Sequence, residues 1–369
     1  MTIKRITGRC LLAVLIISGT SCNTVDGGSD TDPDPEGPAE EESALWLTSA
    51  EIEALPTEGE SFDNVVAWAN EDFQANISDQ NSRHDSKTYA AALLCARGVG
   101  QEYCDKAEQG LQDAIGTEGS EDDDDARTLA LGRNLLAYVL AADLLDHRDP
   151  AFVEWLDAVR FKVLSNRTLI STHEDRPNNW GTHAGASRIA AAYFLGDSTD
   201  VEAAAQVFHG YLGNRDIYIA FRYGGLAWQA DPRAPVGINP PGSTIDGYDV
   251  DGAQPEEMRR CGTGAFVWPP CRTGYTWEAL QGSIMQAELL TRLGYPAWEW
   301  ESRAMLRAVE WLHRTTFDDG EPDLAVGDDR WQPWLINYAY GTDFPAEPAT
   351  QPGKNIGFTD WTHGGRTAN

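Results

Sequence analysis

Arg176-Pro-Asn-Asn-Trp-Gly-Thr-His-Ala-Gly-Ala186 is the stretch from which the fold is best read. Pro177 and Asn178-Asn179 halt the preceding segment and supply a side-chain cap. Trp180 to Leu195 then runs apolar at helical spacing. The stretch therefore predicts a loop that turns into a buried helix. Asn179 and His183 lie four residues apart and fall on one face of that helix or of its first turn. An amide beside an imidazole at a helix mouth suits carboxylate binding or acid/base work. The competing reading is that Asn178 or Asn179 only caps the helix and that His183 is a core histidine with its hydrogen bonds satisfied.

Working outward, helical patterns recur on both sides. They cover Thr48 or Ser49 to Leu55, Phe62 to Phe73, Ser86 to Cys95, Tyr103 to Ala114, Ala126 to Leu145 and Pro150 to Leu164. After the central helix, which ends at Gly196, further ones run from Thr199 or Asp200 to near Gly213, from Thr276 to Leu293, from Trp300 to Thr315 and from Arg330 to Tyr340. The acid run Glu121 to Asp125 sits where a helix macrodipole favours negative charge, so it reads as structural. An extended segment is expected only within Asp216 to Trp228. Arg233 to Pro270 is long, rich in Gly and Pro, and irregular, the kind of loop that is usually functional. The tail from Thr342 reads as polar and irregular. Paired helices must bury their apolar faces against one another. At this length an all-α fold built as an α/α toroid suits the pattern better than a four-helix bundle, with an open helical solenoid as the alternative. The long loop then belongs at the mouth of the toroid, beside Asn179.

The 369 residues include 58 acids against 28 Lys plus Arg, a formal net charge of −30. That argues against nucleic acid as a partner, which needs basic surface. A polyanionic substrate would need a local arginine cluster to overcome the average field. Residues 1–21 read as a secretion signal, with a basic start at Lys4, Arg5 and Arg9 and a short apolar core from Leu11 to Ile17. Gly19-Thr20-Ser21-Cys22 resembles a bacterial lipoprotein processing site, with Gly19 where Leu is usual. Cleavage there would leave a lipidated Cys22 as the only membrane attachment, at the periplasm, outer membrane or cell surface; ordinary cleavage nearby would release a secreted protein. Residues 22–43 lack Lys and Arg and read as an acidic disordered tether. Residues 44–369 are expected to form a single domain and a monomer.

Four of the six cysteines, Cys95, Cys104, Cys261 and Cys271, remain after export. Of three possible pairings, the local one, Cys95–Cys104 and Cys261–Cys271, is preferred. No CxxC pair or cysteine–histidine spacing points to a structural zinc, and no cofactor is expected.

A second dense region is Asp251-Gly-Ala-Gln-Pro-Glu-Glu-Met-Arg-Arg260, followed by Cys271-Arg-Thr-Gly-Tyr-Thr-Trp-Glu-Ala279. In so acidic a chain, Arg259, Arg260 and Arg272 form a conspicuous basic spot, with Tyr275 at the start of the next helix. The bland alternative is that these arginines pair with Glu256, Glu257 and Asp251. Taken together, Asn, His, Arg and Tyr suit β-elimination on a uronate. The proton beside a sugar carboxylate is barely acidic until amide, imidazole or guanidinium donors stabilise the developing enolate-like oxygens. A tyrosine or histidine then takes the proton, and tyrosine can protonate the departing oxygen.

From Leu45 to Pro345 the chain resembles the α/α-toroid alginate lyases and related uronate-polysaccharide lyases. The resemblance is carried by Leu135-Leu-Ala-Tyr-Val-Leu-Ala-Ala-Asp143, by Asn178-Asn179, by Asp251-Gly252 with Glu256-Glu257-Met258-Arg259-Arg260, and by Gly274-Tyr275. It implies an acidic polysaccharide substrate, with Asn179 as the matching amide, Arg260 (after Glu257) or Arg259 (after Glu256) as the guanidinium, and Tyr275 as the acid/base. Trp180 stands where the family has its histidine, which makes His183, about one turn on, the substitute. A cysteine-bounded insert lengthens the interval from Arg to Tyr and lets Arg272 compete for the arginine role. Asn178, Trp180, Arg259, Trp277 and His84 are the expected substrate-binding residues. Trp268, Trp331 and Trp334 are further ring faces for a sugar, though helical spacing favours core packing for the last two. The rival readings are a glycoside hydrolase on a similar toroid, with two carboxylates drawn from Asp246, Asp249, Asp251, Glu256, Glu257 and Glu278, and a non-catalytic glycan-binding surface lipoprotein.

Overall fold

The computed structural model describes residues 44–72, 74–120 and 127–366. The expected signal and tether, and the acid run Glu121 to Asp125, lie outside the described residues. Helices dominate. They are α1 (Ser49–Glu53), α2 (Glu60–Asn70), α3 (His84–Ala96), α4 (Gln101–Ala114), α5 (Arg127–Leu144), α6 (Pro150–Val159) and α7 (Leu169–Asp175). They continue as α8 (Asn179–Phe194), α9 (Ser198–Leu212), α10 (Pro255–Met258), α11 (Tyr275–Arg292), α12 (Trp300–Arg314), α13 (Gln332–Tyr340) and α14 (Thr359–Thr362). Among the described residues the strands are β1 (Thr244–Ile245) and β2 (Tyr248–Asp249), an antiparallel hairpin. The chain is therefore all-α, as its apolar periodicity predicts. None of the described helices is long and apolar enough to cross a membrane.

Two kinds of helix divide the work. In α4 the buried positions Tyr103, Ala107, Gly110, Leu111 and Ala114 follow three- and four-residue spacing, so one face is buried and the other is wet. In α3, α5, α8 and α11 nearly every residue is buried. α8 is rich in Ala and Gly, and a glycine in each of α5 and α11 lets their backbones approach it closely. A Cβ on Gly132 of α5 would come within 2.9 Å of the Ala184 nitrogen of α8, and one on Gly282 of α11 would collide with the backbone of Thr182 and His183. Contacts run from α3 to α5, α8, α11, α13 and α14, then to α2 and back to α3.

Local details differ from the sequence reading where a turn intervenes. The helix from Pro150 stops at Val159 rather than at Leu164, and the chain then makes a turn at Ser165 and Asn166, with left-handed φ of 52° and 63°, that pairs Leu164 with Arg167. Asp197, not Thr199 or Asp200, caps α9 by accepting from the Asp200 N–H. Residues 216–228 hold no strand. Short α7 and the buried C-terminal segment around Asn355 have no periodic signature. The two local cysteine pairs are formed, with Cα–Cα distances of 4.8 Å for Cys95–Cys104 and 5.9 Å for Cys261–Cys271.

Candidate functional site

Two glutamates, one buried and one half-buried, organise the N-terminal ends of α8 and α11. The first is Glu257 of α10, which is 1 % exposed. Its Oε1 accepts the backbone N–H of Asn179, the first residue of α8, at 2.5 Å. Its Oε2 lies 3.3 Å from Arg260 Nε. Arg260 in turn places its guanidinium 4.0 Å from the centre of the Tyr275 ring. Tyr275 opens α11 after Gly274, whose φ of 67° suits glycine, and it is 40 % exposed. Burial pushes Glu257 up to about 7, against the pull of Arg260 and of the Asn179 N–H. The side-chain Oδ1 of Asn179 is buried with no hydrogen-bond partner among the described residues. Arg176 stands nearby, 5.1 Å from the ring of half-buried Trp180; burial disfavours its charge, and Arg167 and Arg260 add to that.

The second glutamate is Glu278, three residues beyond Tyr275. It forms an ion pair with Arg133, which rises from the middle of α5 and also donates to Gln80 Oε1 at 2.9 Å. Burial pushes Arg133 down to about 10, opposed by Asp328 and helped by Arg83. Behind this pair, His183 Nε2 lies 3.7 Å from Glu278 Oε1. His183 Nδ1 is hydrogen-bonded to Asn355 Oδ1, and Asn355 Nδ2 donates to the Gly132 carbonyl at 3.1 Å. Burial, reinforced by Arg133, holds His183 well below the usual histidine range, so it is neutral. The neighbouring Lys354 donates its backbone N–H to Gln281 Oε1 at 2.6 Å and places Nζ 3.0 Å from Asp328. Arg83 joins them through Asp328 at 3.4 Å and the Gly353 carbonyl at 2.8 Å.

The structure thus gathers Asn179, Arg260 and Tyr275 around Glu257, and sets His183 behind Glu278. Arg272 goes elsewhere: it pairs with Asp319 at 2.9 Å and Asp323 at 3.3 Å. Arg259 pairs with Glu256, whose carboxylate also accepts the Gly224 N–H. Asn178 caps α8 by accepting from the Trp180 N–H at 3.2 Å. Trp277 is 2 % exposed and donates to the Asp323 carbonyl, so it has no ring face to offer a sugar. His84 is buried against the Tyr138 hydroxyl at 2.7 Å, and burial lowers it to about 4. Among the described residues no group of three or more His, Cys, Asp or Glu is arranged to hold a metal ion.

Sequence reasoning missed Arg133, Lys354 and Asn355. A charged Arg133 beside Asn134 inside an otherwise apolar helix was a usable signal, since buried charge needs a partner. Asn355 carried none. Compared with known proteins, the chain matches no protein-family model and no curated sequence.

Proposed function

We propose that this chain is a polysaccharide lyase that cleaves a uronate-containing polymer, alginate or a similar polyuronate, by β-elimination. The observation that carries this reading is the stacking of Arg260 on Tyr275, with Arg260 and the start of α8 both held by buried Glu257. A cation and a half-exposed phenol are thereby fixed side by side at two helix mouths.

In this reading the uronate carboxylate lies against Arg260, whose donors stabilise the charge that moves onto the carboxylate oxygens as the adjacent carbon loses its proton. Asn179 is 1 % exposed and acts from behind, through the Glu257 carboxylate that its backbone N–H shares with Arg260. Tyr275, as the phenolate, takes that proton. The electron pair forms the new carbon–carbon double bond, the bond to the glycosidic oxygen breaks, and the Tyr275 hydroxyl returns the proton to the departing oxygen. His183 is fully buried and acts as a positioning residue through Asn355, which ties α8 to the Gly132 carbonyl of α5. Arg272 and Trp277 take no part. The closed path of helix contacts supports the α/α toroid, and the two disulfides support an oxidising, exported setting. Lipidation at Cys22 remains a proposal from the sequence alone.

The test is ultraviolet absorbance of unsaturated uronates with alginate, glucuronan, pectate and glycosaminoglycans as substrates. A rise that Tyr275→Phe abolishes supports elimination. A flat trace with all four, or reducing ends released with saturated products, overturns it, and the latter outcome would favour a hydrolase.

A further inference from the structure

We propose that Tyr248 and Trp268 form an aromatic docking platform for a pyranose ring of the polymer, outside the reacting residues. The inference rests on the polysaccharide reading above. The two rings stack 4.9 Å apart at 17°. Tyr248 is 44 % exposed, and Val267 beside Trp268 is exposed as well. Trp268 is itself half-buried, so the pair presents part of its ring surface to water, chiefly on the Tyr248 side.

Each ring is held by its own device. Tyr248 stands on β2, just after the two-residue turn Asp246-Gly247, whose φ values of 52° and 86° match a hairpin turn. Trp268 lies in the loop closed by the Cys261–Cys271 disulfide. Phe266 in the same loop stacks on Trp268 at 6.4 Å and meets the buried ring of Trp228 edge-on at 4.7 Å. The platform is thus anchored in the core and ordered in advance, which lowers the entropic cost of binding.

A sugar fits this surface because the axial C–H face of a pyranose is apolar and flat while its rim is polar. Aromatic stacking also needs no positive charge, which this acidic chain has little of to spare. The platform is continuous with the site: the disulfide-bonded loop leaves from Arg260 and leads to Tyr275. Trp268 and Tyr275 are seven positions apart in the chain, so chain geometry keeps them within about 25 Å. A polymer crossing Tyr275 reaches that far, whereas a very short oligomer does not.

Affinity electrophoresis of the Tyr275→Phe chain through gels containing alginate, pectate, glucuronan or hyaluronan tests this. Adding Tyr248→Ala or Trp268→Ala is expected to weaken retardation about tenfold. Tyr248→Phe keeps the ring and is expected to leave retardation unchanged. Tyr248 is exposed, so its variants should melt with the parent and decide the matter even if Trp268→Ala fails to fold. Equal retardation of parent and Tyr248→Ala overturns the platform, and so does no retardation of the parent in any gel. Retardation that depends on Tyr248, without absorbance gained by the unsubstituted chain, would sink the lyase reading and leave the platform standing.

Discussion

Asn355 fixes which nitrogen of His183 carries the proton. Its Nδ2 donates to the Gly132 carbonyl, which can only accept, so its Oδ1 faces His183 Nδ1 and requires a hydrogen there. Nε2 then presents a lone pair toward Glu278, 3.7 Å away. Because burial holds His183 well below its ordinary value, nitrogen NMR should show the Nδ1–H tautomer unchanged from about pH 5 to about pH 8. A His183 signal that titrates within that range would refute the assignment. Asn355→Leu leaves a buried donor without an acceptor and should cost about 1–3 kcal/mol in thermal or denaturant unfolding.

Glu257 makes stability and activity depend on pH in opposite directions. Its folded pKa of about 7 lies above the ordinary value of 4.5, so the folded chain binds the extra proton between the two. Its stabilising contribution is full below the ordinary value and is lost as pH rises through about 7. Glu257→Gln removes that dependence, so its melting temperature should gain on the parent between about pH 5 and about pH 8. The ionised carboxylate is also what holds Arg260. Turnover of the parent should therefore rise through the same range, and Glu257→Gln should lose about a hundredfold through misplacement of Arg260.

The two arginines that competed in the sequence should separate cleanly. Arg260→Ala should lower kcat by about a hundred- to a thousandfold, as expected for the loss of a charge-stabilising donor. Arg272 is partly exposed and is occupied by Asp319 and Asp323. Arg272→Ala should leave turnover near that of the parent and cost about 1–3 kcal/mol of stability, because buried Asp323 loses its cation. Comparable losses of kcat in both variants would overturn the assignment.

Much of this was legible in the sequence, for identifiable reasons. The helices were readable because apolar spacing is a local property, and the observed caps Thr48 and Asn178 were each one of two neighbouring candidates in the sequence. Short-range cysteine spacing likewise gave both disulfides. The convergence of Asn179, Arg260 and Tyr275 could only be guessed, since it depends on where a buried Glu257 comes to rest. Trp277 was misread as a sugar face because helical spacing alone does not say which side is packed. Asn355 was unreadable: its partners His183 and Gly132 lie 172 and 223 residues away.

Glycine at position 282 should prove as important to the site as any polar residue. A methyl group there would collide with the backbone of Thr182 and His183. Gly282→Ala should cost about 1–3 kcal/mol by overpacking. It should also reduce turnover, because relieving the clash moves α8 against α11, whose mouths carry Asn179 and Tyr275. Unchanged stability would show that these helices can part without loss.

The ties made by the C-terminal segment bear on how the molecule is born. Arg83 reaches Gly353, His183 reaches Asn355, Trp361 donates to the Pro56 carbonyl, and Arg366 pairs with Glu51. During vectorial synthesis both local disulfides and all four buried helices emerge well before residues 351–366. Until those residues arrive, the proton on His183 and the oxygen of Gln281 have lost their partners. The surroundings of His183 and Gln281 are therefore completed after the four buried helices have emerged, whereas Asn179, Arg260 and Tyr275 depend on contacts with Glu257 that emerge earlier.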